Sequence, residues 1–361
     1  MRLDEVRGHD RVRSILSRAL ARDRLPPSLL LAGPEGVGKK LLALAVAQAA
    51  LCERAPAPEP CGACRACRKV SAALAPDRLD AVRQEADRHP DDDVWRNFRL
   101  HPDLVLAEGW WLTKTGRPRP EPEIRVGQVR DLIAEIAGAP FEARRRVFVI
   151  DDAHTMNEAA QNALLKSLEE PPPRSHVILV SSAPLGLLQT IRSRCQLVRF
   201  GPLTRSAVAA HLAEQRGLPE EDARKQAALA GGSLGAAATF EAESYGRMRE
   251  SLVGLLERAG SLDPMARMQA AEVLEESEDA TLLLTTLRSL LRDLLALRAG
   301  AGSEVLVHPD LAERLVPLAR GPLGQRAAVL AEQAGEARVA LRGFANKLLT
   351  FDLLVDALAG D

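Results

Sequence analysis

Residues 28–51 read SLLLAGPEGVGKKLLALAVAQAAL, and the three parts of this stretch decide the fold. SLLLAG (28–33) is a short continuous apolar run closed by glycine, as expected of a buried parallel strand entering a loop. KKLLALAVAQAAL (39–51) is rich in Ala and Leu, which favour helix. Between them, GPEGVGKK (33–40) differs at one position from the phosphate-loop pattern G-x-x-x-x-G-K-[ST]. Gly33, Gly38 and Lys39 keep their places, but Lys40 stands where a hydroxyl would hold the magnesium of a bound nucleotide. Strand, glycine loop and helix form the setting such a loop requires. Backbone N–H groups from Glu35 to Lys39, Gly36 and Gly38 among them, would cradle phosphates, and Lys39 would reach the terminal ones. The plainer reading is a glycine turn joining strand to helix.

Further strands are expected at DLVLAE (103–108), RVFVID (146–151), HVILVSS (176–182) and QLVRF (196–200). Helices are expected at 10–22, 126–138 and 157–170, the last capped by Asn157 and stopped by Pro171-Pro172-Pro173. Alternating strands and helices imply a parallel sheet covered on both faces. Past FGPLT (200–204) the strand signal ends: 204–240 reads as three short helices, and the rest as a helical domain with amphipathic leucine-rich segments such as 281–298. The polar stretches 76–102 and 113–123 read as surface insertions.

The downstream acids fit a nucleotide site. VFVIDDAH (147–154) is an apolar strand delivering Asp151 and Asp152 at its carboxyl end, where a magnesium-binding and a water-orienting acid are expected. The second acid is usually Glu; Asp152 is a methylene shorter. Ser182, at the end of the next strand, could touch a terminal phosphate or its water. Serines are common at strand ends, and an acidic turn there is equally ordinary.

Cys52, Cys61, Cys64 and Cys67 form C-x8-C-x2-C-x2-C. Two-residue gaps let thiolates converge on one tetrahedral ion, and four sulfurs about 2.3 Å from it make a closed structural zinc shell. No position remains for water, so catalysis at this metal is not expected. Scattered reduced thiols are the alternative. Arg65, Arg68 and Lys69 would surround the anionic cluster. Cys195 has no cysteine near it in sequence and reads as a buried thiol. Beside it, in TIRSRCQ (190–196), Arg194 follows a short helix and precedes a strand; on sequence alone it is an ordinary surface arginine.

The bulk properties narrow the partners. The 361 residues hold 48 basic and 49 acidic side chains, a net charge of −1, and 3% aromatics. Neither whole-chain attraction to nucleic acid nor a base-stacking surface is expected. The charged N-terminus lacks a signal-peptide core, and the apolar 41–51 is too short to span a bilayer. A cytoplasmic chain with no membrane contact is the expectation, and clustered cysteines suit a reducing compartment.

Together, GPEGVGKK, the four-cysteine module just after it, DDAHTMNEAAQNALLKSLEEPP and SRC resemble the clamp-loader branch of the AAA+ ATPases over nearly the whole chain. Two bacterial lineages of that branch carry the cysteine module: the ATP-hydrolysing gamma/tau subunits and the delta-prime subunits of DNA polymerase III. Three departures favour delta-prime. Lys40 replaces the magnesium-binding hydroxyl, Asp152 replaces Glu, and in GGSLGAAAT (231–239) Gly235 stands where a phosphate-contacting arginine would be. HPDL (101–104) also resembles delta-prime, and a tau-like chain would be expected to continue beyond a collar.

The resemblance implies a RecA-like α/β AAA+ domain over 1–203 with the zinc module at 52–67, a helical lid over 204–240 and an all-α collar over 241–361. It implies a hetero-pentamer with gamma/tau-type and delta subunits that opens a sliding clamp and loads it onto primed DNA. It also implies that Arg194 is presented to a neighbouring subunit's ATP. The chain itself is then a subunit of a DNA-directed DNA polymerase with little or no ATPase activity of its own.

A lysine at position 40 should weaken magnesium binding. Two unit cations about 4 Å apart repel by about 4 kcal/mol at an effective dielectric of ~20, and a divalent ion feels more. Lys40 would either neutralise phosphate, leaving ATP or ADP bound but not efficiently hydrolysed, or pair with Asp151 and fill the site. An active gamma/tau-type ATPase, and a free-standing zinc-containing nucleic-acid-binding protein, are the alternatives. Lys40 and Gly235 speak against the first; balanced charge, few aromatics and a closed thiolate shell speak against the second.

Overall fold

The structure, a computed structural model, describes residues 2–115, 117–238, 242–277, 279–302, 305–342 and 345–360. It divides into two compact units, Met1–Ala207 with Ser233–Gly235, and Val208–Gly232 with Ala236–Asp361.

The first unit starts with α1 (Asp10–Ala21), β1 (Ser28–Ala32) and α2 (Lys39–Leu51). Then come α3 (Arg65–Ala73), α4 (Pro76–Asp87), β2 (Asn97–His101), β3 (Leu104–Ala107), and a hairpin of β4 (Trp110–Leu112) and β5 (Pro118–Glu123). It continues through α5 (Val126–Ile136), β6 (Arg146–Ile150), α6 (Glu158–Glu169), β7 (Ser175–Ser181), α7 (Gln189–Arg194) and β8 (Gln196–Arg199). The main sheet runs β2-β3-β6-β7-β1-β8, parallel except for the β2–β3 pair.

The continuous apolar runs exist because both faces of this sheet are covered. Leu29 and Leu31 of β1, Leu104 and Leu106 of β3, and Val147 and Val149 of β6 join one core with α2. Their alternates Leu30, Val105 and Phe148 join a second core with α5 and α6. Each such side chain, fully buried, contributes roughly 1.5–3 kcal/mol. Asn157 caps α6 as expected, its Oδ1 accepting the Ala160 N–H at 2.9 Å.

The stretch 76–102 departs from expectation. It is no surface insertion: it supplies α4 and the edge strand β2, which pairs antiparallel with β3. Phe98 and Leu100 point into the core while Arg99 between them is exposed. That alternation suits an antiparallel edge and is hidden by the charges around it. The stretch 113–123 likewise includes β5 rather than forming only an insertion; Gly116 within it lies outside the described residues.

Three short helices follow the sheet, α8 (Arg205–Arg216), α9 (Glu220–Leu229) and α10 (Leu234–Ala238); Thr239 and Phe240 lie outside the described residues. The remainder comprises α11 (Ala242–Arg258), α12 (Pro264–Glu275), α13 (Ala280–Arg298), α14 (Ala312–Arg320), α15 (Pro322–Arg342) and α16 (Lys347–Ala359). Leu283, Leu287, Leu290 and Leu294 of α13 enter the common core, while Arg288, Arg292 and Arg298 are exposed. No helix among the described residues is long and apolar enough to cross a membrane.

Candidate functional site

The glycine loop leaves β1 and enters α2 at Gly38, whose φ of 97° is a left-handed conformation that glycine adopts without penalty. Gly36, at φ 69°, is tightly covered: a Cβ there would lie 2.1 Å from Ser233 Oγ. The Gly235 N–H donates to the Gly36 carbonyl at 3.0 Å. The position that lacks an arginine therefore touches the loop with its backbone.

Lys39 does not project freely. It is buried, and its Nζ donates to the Pro34 carbonyl at 2.6 Å. Burial lowers its pKa, against the opposing charges of Asp152 and Asp151.

Lys40 pairs with Asp151, one of the two outcomes expected for it. Its Nζ lies 2.8 Å from Asp151 Oδ2 and 2.5 Å from Glu108 Oε1. The sequence does not mark Glu108 as a partner of Lys40; the one signal for it is its place directly after β3. β3 and β6 are parallel with Ala107 opposite Ile150, so the next residues, Glu108 and Asp151, emerge side by side. Arg83 of α4 binds Glu108 as well, through Nε at 2.9 Å and Nη2 at 2.8 Å. Burial would raise the Glu108 carboxyl, but the Arg83 hydrogen bonds and the Lys40 charge outweigh it and hold it at about 2. Burial also opposes the charge of Lys40, yet Asp151 and Glu108 raise its pKa overall.

Asp152 sits at φ 44°, and burial, then the charges of Asp151 and Glu35, push its carboxyl up to about 6. These groups border an open cavity of about 390 Å³ that Arg96 and the exposed Trp111 also line. Ser182 Oγ lies 3.3 Å from His154 Nε2. Arg194 is the last residue of α7, about a third exposed, with Nη2 2.7 Å from Glu169 Oε1 and Nη1 donating to the Thr190 carbonyl. Cys195 is buried, and burial pushes its thiol up to about 12.

The four clustered cysteines converge. All their Sγ atoms lie within 4.8 Å of one another, with Cys52–Cys64 at 3.9 Å and Cys61–Cys67 at 4.0 Å. A tetrahedral shell with bonds of about 2.3 Å sets its sulfurs about 3.8 Å apart, so the cluster fits a structural metal such as zinc. Backbone N–H groups of Cys61, Cys64 and Cys67 point at Sγ of Cys52, Cys61 and Cys64. N–H groups of Ala63 and Cys64 pull the Cys61 thiol down to about 6, whereas burial pushes Cys52 and Cys67 up. A bound divalent cation would supply the charge that lets the buried pair ionise. Arg65 and Lys69 turn to Glu142, at 3.7 and 2.6 Å, which ties the module to the β6 approach.

The family model described as "DNA polymerase III, delta subunit" matches residues 8–204, more than half of the chain. The chain belongs to the DNA polymerase III delta subunit family. Within the clamp-loader relatives of this family, it is 28% identical to the Bacillus subtilis delta-prime subunit, covering 83% of this chain and 81% of that one. It is 36% identical to the Pseudomonas aeruginosa delta-prime subunit over 56% of this chain and 52% of that one. The Mycobacterium tuberculosis gamma/tau subunit is 32% identical over 61% of this chain, and the match spans about a third (32%) of that longer relative. Family membership accords with the delta-prime, AAA+ reading of the sequence and with the parallel sheet followed by helices.

Proposed function

We propose that this chain is a non-hydrolysing delta-prime-type subunit of a clamp loader, and that it presents Arg194 to the ATP of a neighbouring gamma/tau-type subunit. The observation that carries this reading is the Lys40 ammonium between Asp151 and Glu108, at the position where a phosphate loop needs its magnesium. With Asp151 engaged and a cation fixed beside it, a divalent ion is repelled. ATP or ADP held by the backbone cradle would stay unhydrolysed. Gly235 against the loop removes a second phosphate-contacting charge.

In this reading residues 1–203 are the AAA+ domain, 204–240 a lid and 241–361 a collar that assembles with gamma/tau-type and delta subunits. The assembly opens a sliding clamp on primed DNA. Arg194 acts in trans: its guanidinium would leave Glu169 and stabilise charge on the transferred phosphoryl group. Glycines of the loop, Lys39, Asp152 and Ser182 are relics of a nucleotide site. Zinc is the metal that a closed four-thiolate shell favours, and it would tie the module together without taking part in chemistry.

The relatives include gamma/tau subunits as well as delta-prime subunits, so the experiment is direct. The purified chain, given ATP and magnesium, should release no phosphate above the no-protein rate. Sustained magnesium-dependent turnover would make it an active ATPase subunit instead.

A further inference from the structure

We propose that Gln161 of α6 is the positioning residue that aims Arg194, because its buried carboxamide fixes the segment from which α7 departs. The inference deepens the proposed function and rests on Arg194 acting in trans.

α7 does not hold its own direction. It has six residues, Gln189–Arg194, and so short a helix needs anchors from outside. Leu187 and Ile191 are two of them, buried in the core shared with Ala160, Leu164 and Leu168 of α6. Apolar burial is non-directional, so it fixes the depth of α7 better than its angle. The angle matters because Arg194 is the far end: six residues span about 9 Å, and a tilt of roughly 10° displaces that end by about 1.5 Å.

Gln161 supplies the direction. It is buried, its Nε2 donates to the Met156 carbonyl at 2.9 Å and to the Gly186 carbonyl at 3.2 Å, and its Oε1 accepts the Leu188 N–H at 2.7 Å. Leu188 immediately precedes α7, and its own carbonyl accepts the Ile191 and Arg192 N–H groups, both at 3.1 Å. One side chain thus joins the entry of α6 to the entry of α7 through directional bonds. At the other end of the pair, Glu169, the last residue of α6, holds Arg194 itself. That contact is a partly exposed ion pair, which Arg194 must leave to reach a phosphate. Gln161 is then the polar contact from α6 that still aims α7 while the arginine is in use. Removing the carboxamide leaves the Leu188 N–H and the Gly186 carbonyl without it, and the segment is free to turn toward water.

The test uses assemblies reconstituted with gamma/tau-type and delta subunits, clamp and primed DNA, carrying the unaltered chain, Gln161→Met, Arg194→Ala or both changes. Methionine keeps the volume and removes the hydrogen bonds. Gln161→Met should slow the served site by about 10-fold to 100-fold, the cost of misplacing a group by about 1 Å. It should therefore remove most of the ATP turnover that Arg194→Ala removes, with KM for ATP unchanged. The double variant should match Arg194→Ala alone, because both changes act through one group. In the free chain, the amides of Leu188, Ile191 and Arg192 should exchange faster while those of β7 keep their protection. Unaltered turnover with Gln161→Met, where Arg194→Ala lowers it, overturns the proposal. So does a double variant slower than Arg194→Ala alone, or faster exchange that spreads to β7. If Gln161→Met does not fold, Gln161→Glu, which keeps an acceptor for Leu188 and loses the donors, is read against the same outcomes. Failure of both to fold makes Gln161 a structural residue and overturns the proposal. Unaltered turnover with Arg194→Ala overturns the trans-acting arginine itself, so the two failures are told apart.

Discussion

Arg194 and Asp103 mark two extremes of what one charged residue does in this chain. The Arg194–Glu169 pair is partly exposed on both sides, and such pairs contribute about 0–1 kcal/mol. Arg194 can therefore exchange Glu169 for a phosphate with little loss. Asp103 is fully buried and accepts three backbone N–H groups, from Phe141 at 2.7 Å and from Glu142 and Ala143 at 2.8 Å. It fixes the loop that carries Glu142 to Lys69 of the cysteine module. Asp103→Ala would leave three donors without their acceptor, and a loss of about 3 kcal/mol or more is expected in denaturant unfolding. A loss within the range of a surface substitution would mean that the loop is held by something else.

Lys40 illustrates what was legible at this scale. The motif break was plain in the sequence, and pairing with Asp151 was one of two outcomes it allowed. Glu108 and Arg83 were not legible as partners. The contact of Glu108 with Lys40 depends on the β3–β6 register, and that of Arg83 with Glu108 on α4 being a helix beside the site, which a polar stretch does not announce.

At the scale of elements, the cysteine module and the loop after α13 each make a prediction. In the module α3 is short: Val70 is its residue in the sheet's apolar core, and Gln48 of α2 grips it by donating to the Cys67 carbonyl at 2.9 Å and the Ser71 hydroxyl at 3.0 Å. The apolar core on the sheet does not run through the thiolates. One zinc per chain is expected by elemental analysis. Cys61→Ser or Cys64→Ser should lose it, and chelation should expose α3 amides to hydrogen exchange while those of β1 and β6 stay protected. Simultaneous loss of the sheet would show that the metal holds the whole unit.

In the helical unit, His308 is buried with Nε2 2.7 Å from Ser289 Oγ, and its backbone N–H donates to Asp293 of α13. Burial, reinforced by Arg249, lowers its imidazole from 6.5 to about 4. The unfolded chain takes up a proton near 6.5, and the folded chain does not until about 4. Stability is therefore complete above pH 6.5 and falls as the pH drops toward 4, by about 3 kcal/mol at most. Urea unfolding of the chain and of His308→Gln at pH 7 and pH 4.5 checks this; the variant should lose much of the difference. Equal pH dependence in both would remove His308 as the source.

For the whole molecule, local patterns carried far. The run 28–51 gave strand, loop and helix because each part obeys a short-range rule, and C-x2-C spacing brought four sulfurs within reach. The antiparallel edge β2 was hidden because its Phe98–Arg99–Leu100 alternation sits among charges, and edge strands need only one apolar face. Arg194 could be singled out only through family resemblance, since nothing in its own neighbourhood distinguishes it from a surface arginine.

The central claim is that this chain spends its charge on a neighbour's nucleotide rather than its own. The most direct test is the ATPase rate of an assembly reconstituted with gamma/tau-type and delta subunits, clamp and primed DNA, carrying either the unaltered chain or Arg194→Ala. An arginine acting in trans contributes about 10³-fold or more at the site it serves, so the variant should assemble normally and lose the turnover of that one site, with clamp loading depressed. An assembly with Arg194→Ala that hydrolyses ATP and loads clamps at the unaltered rate would contradict the account.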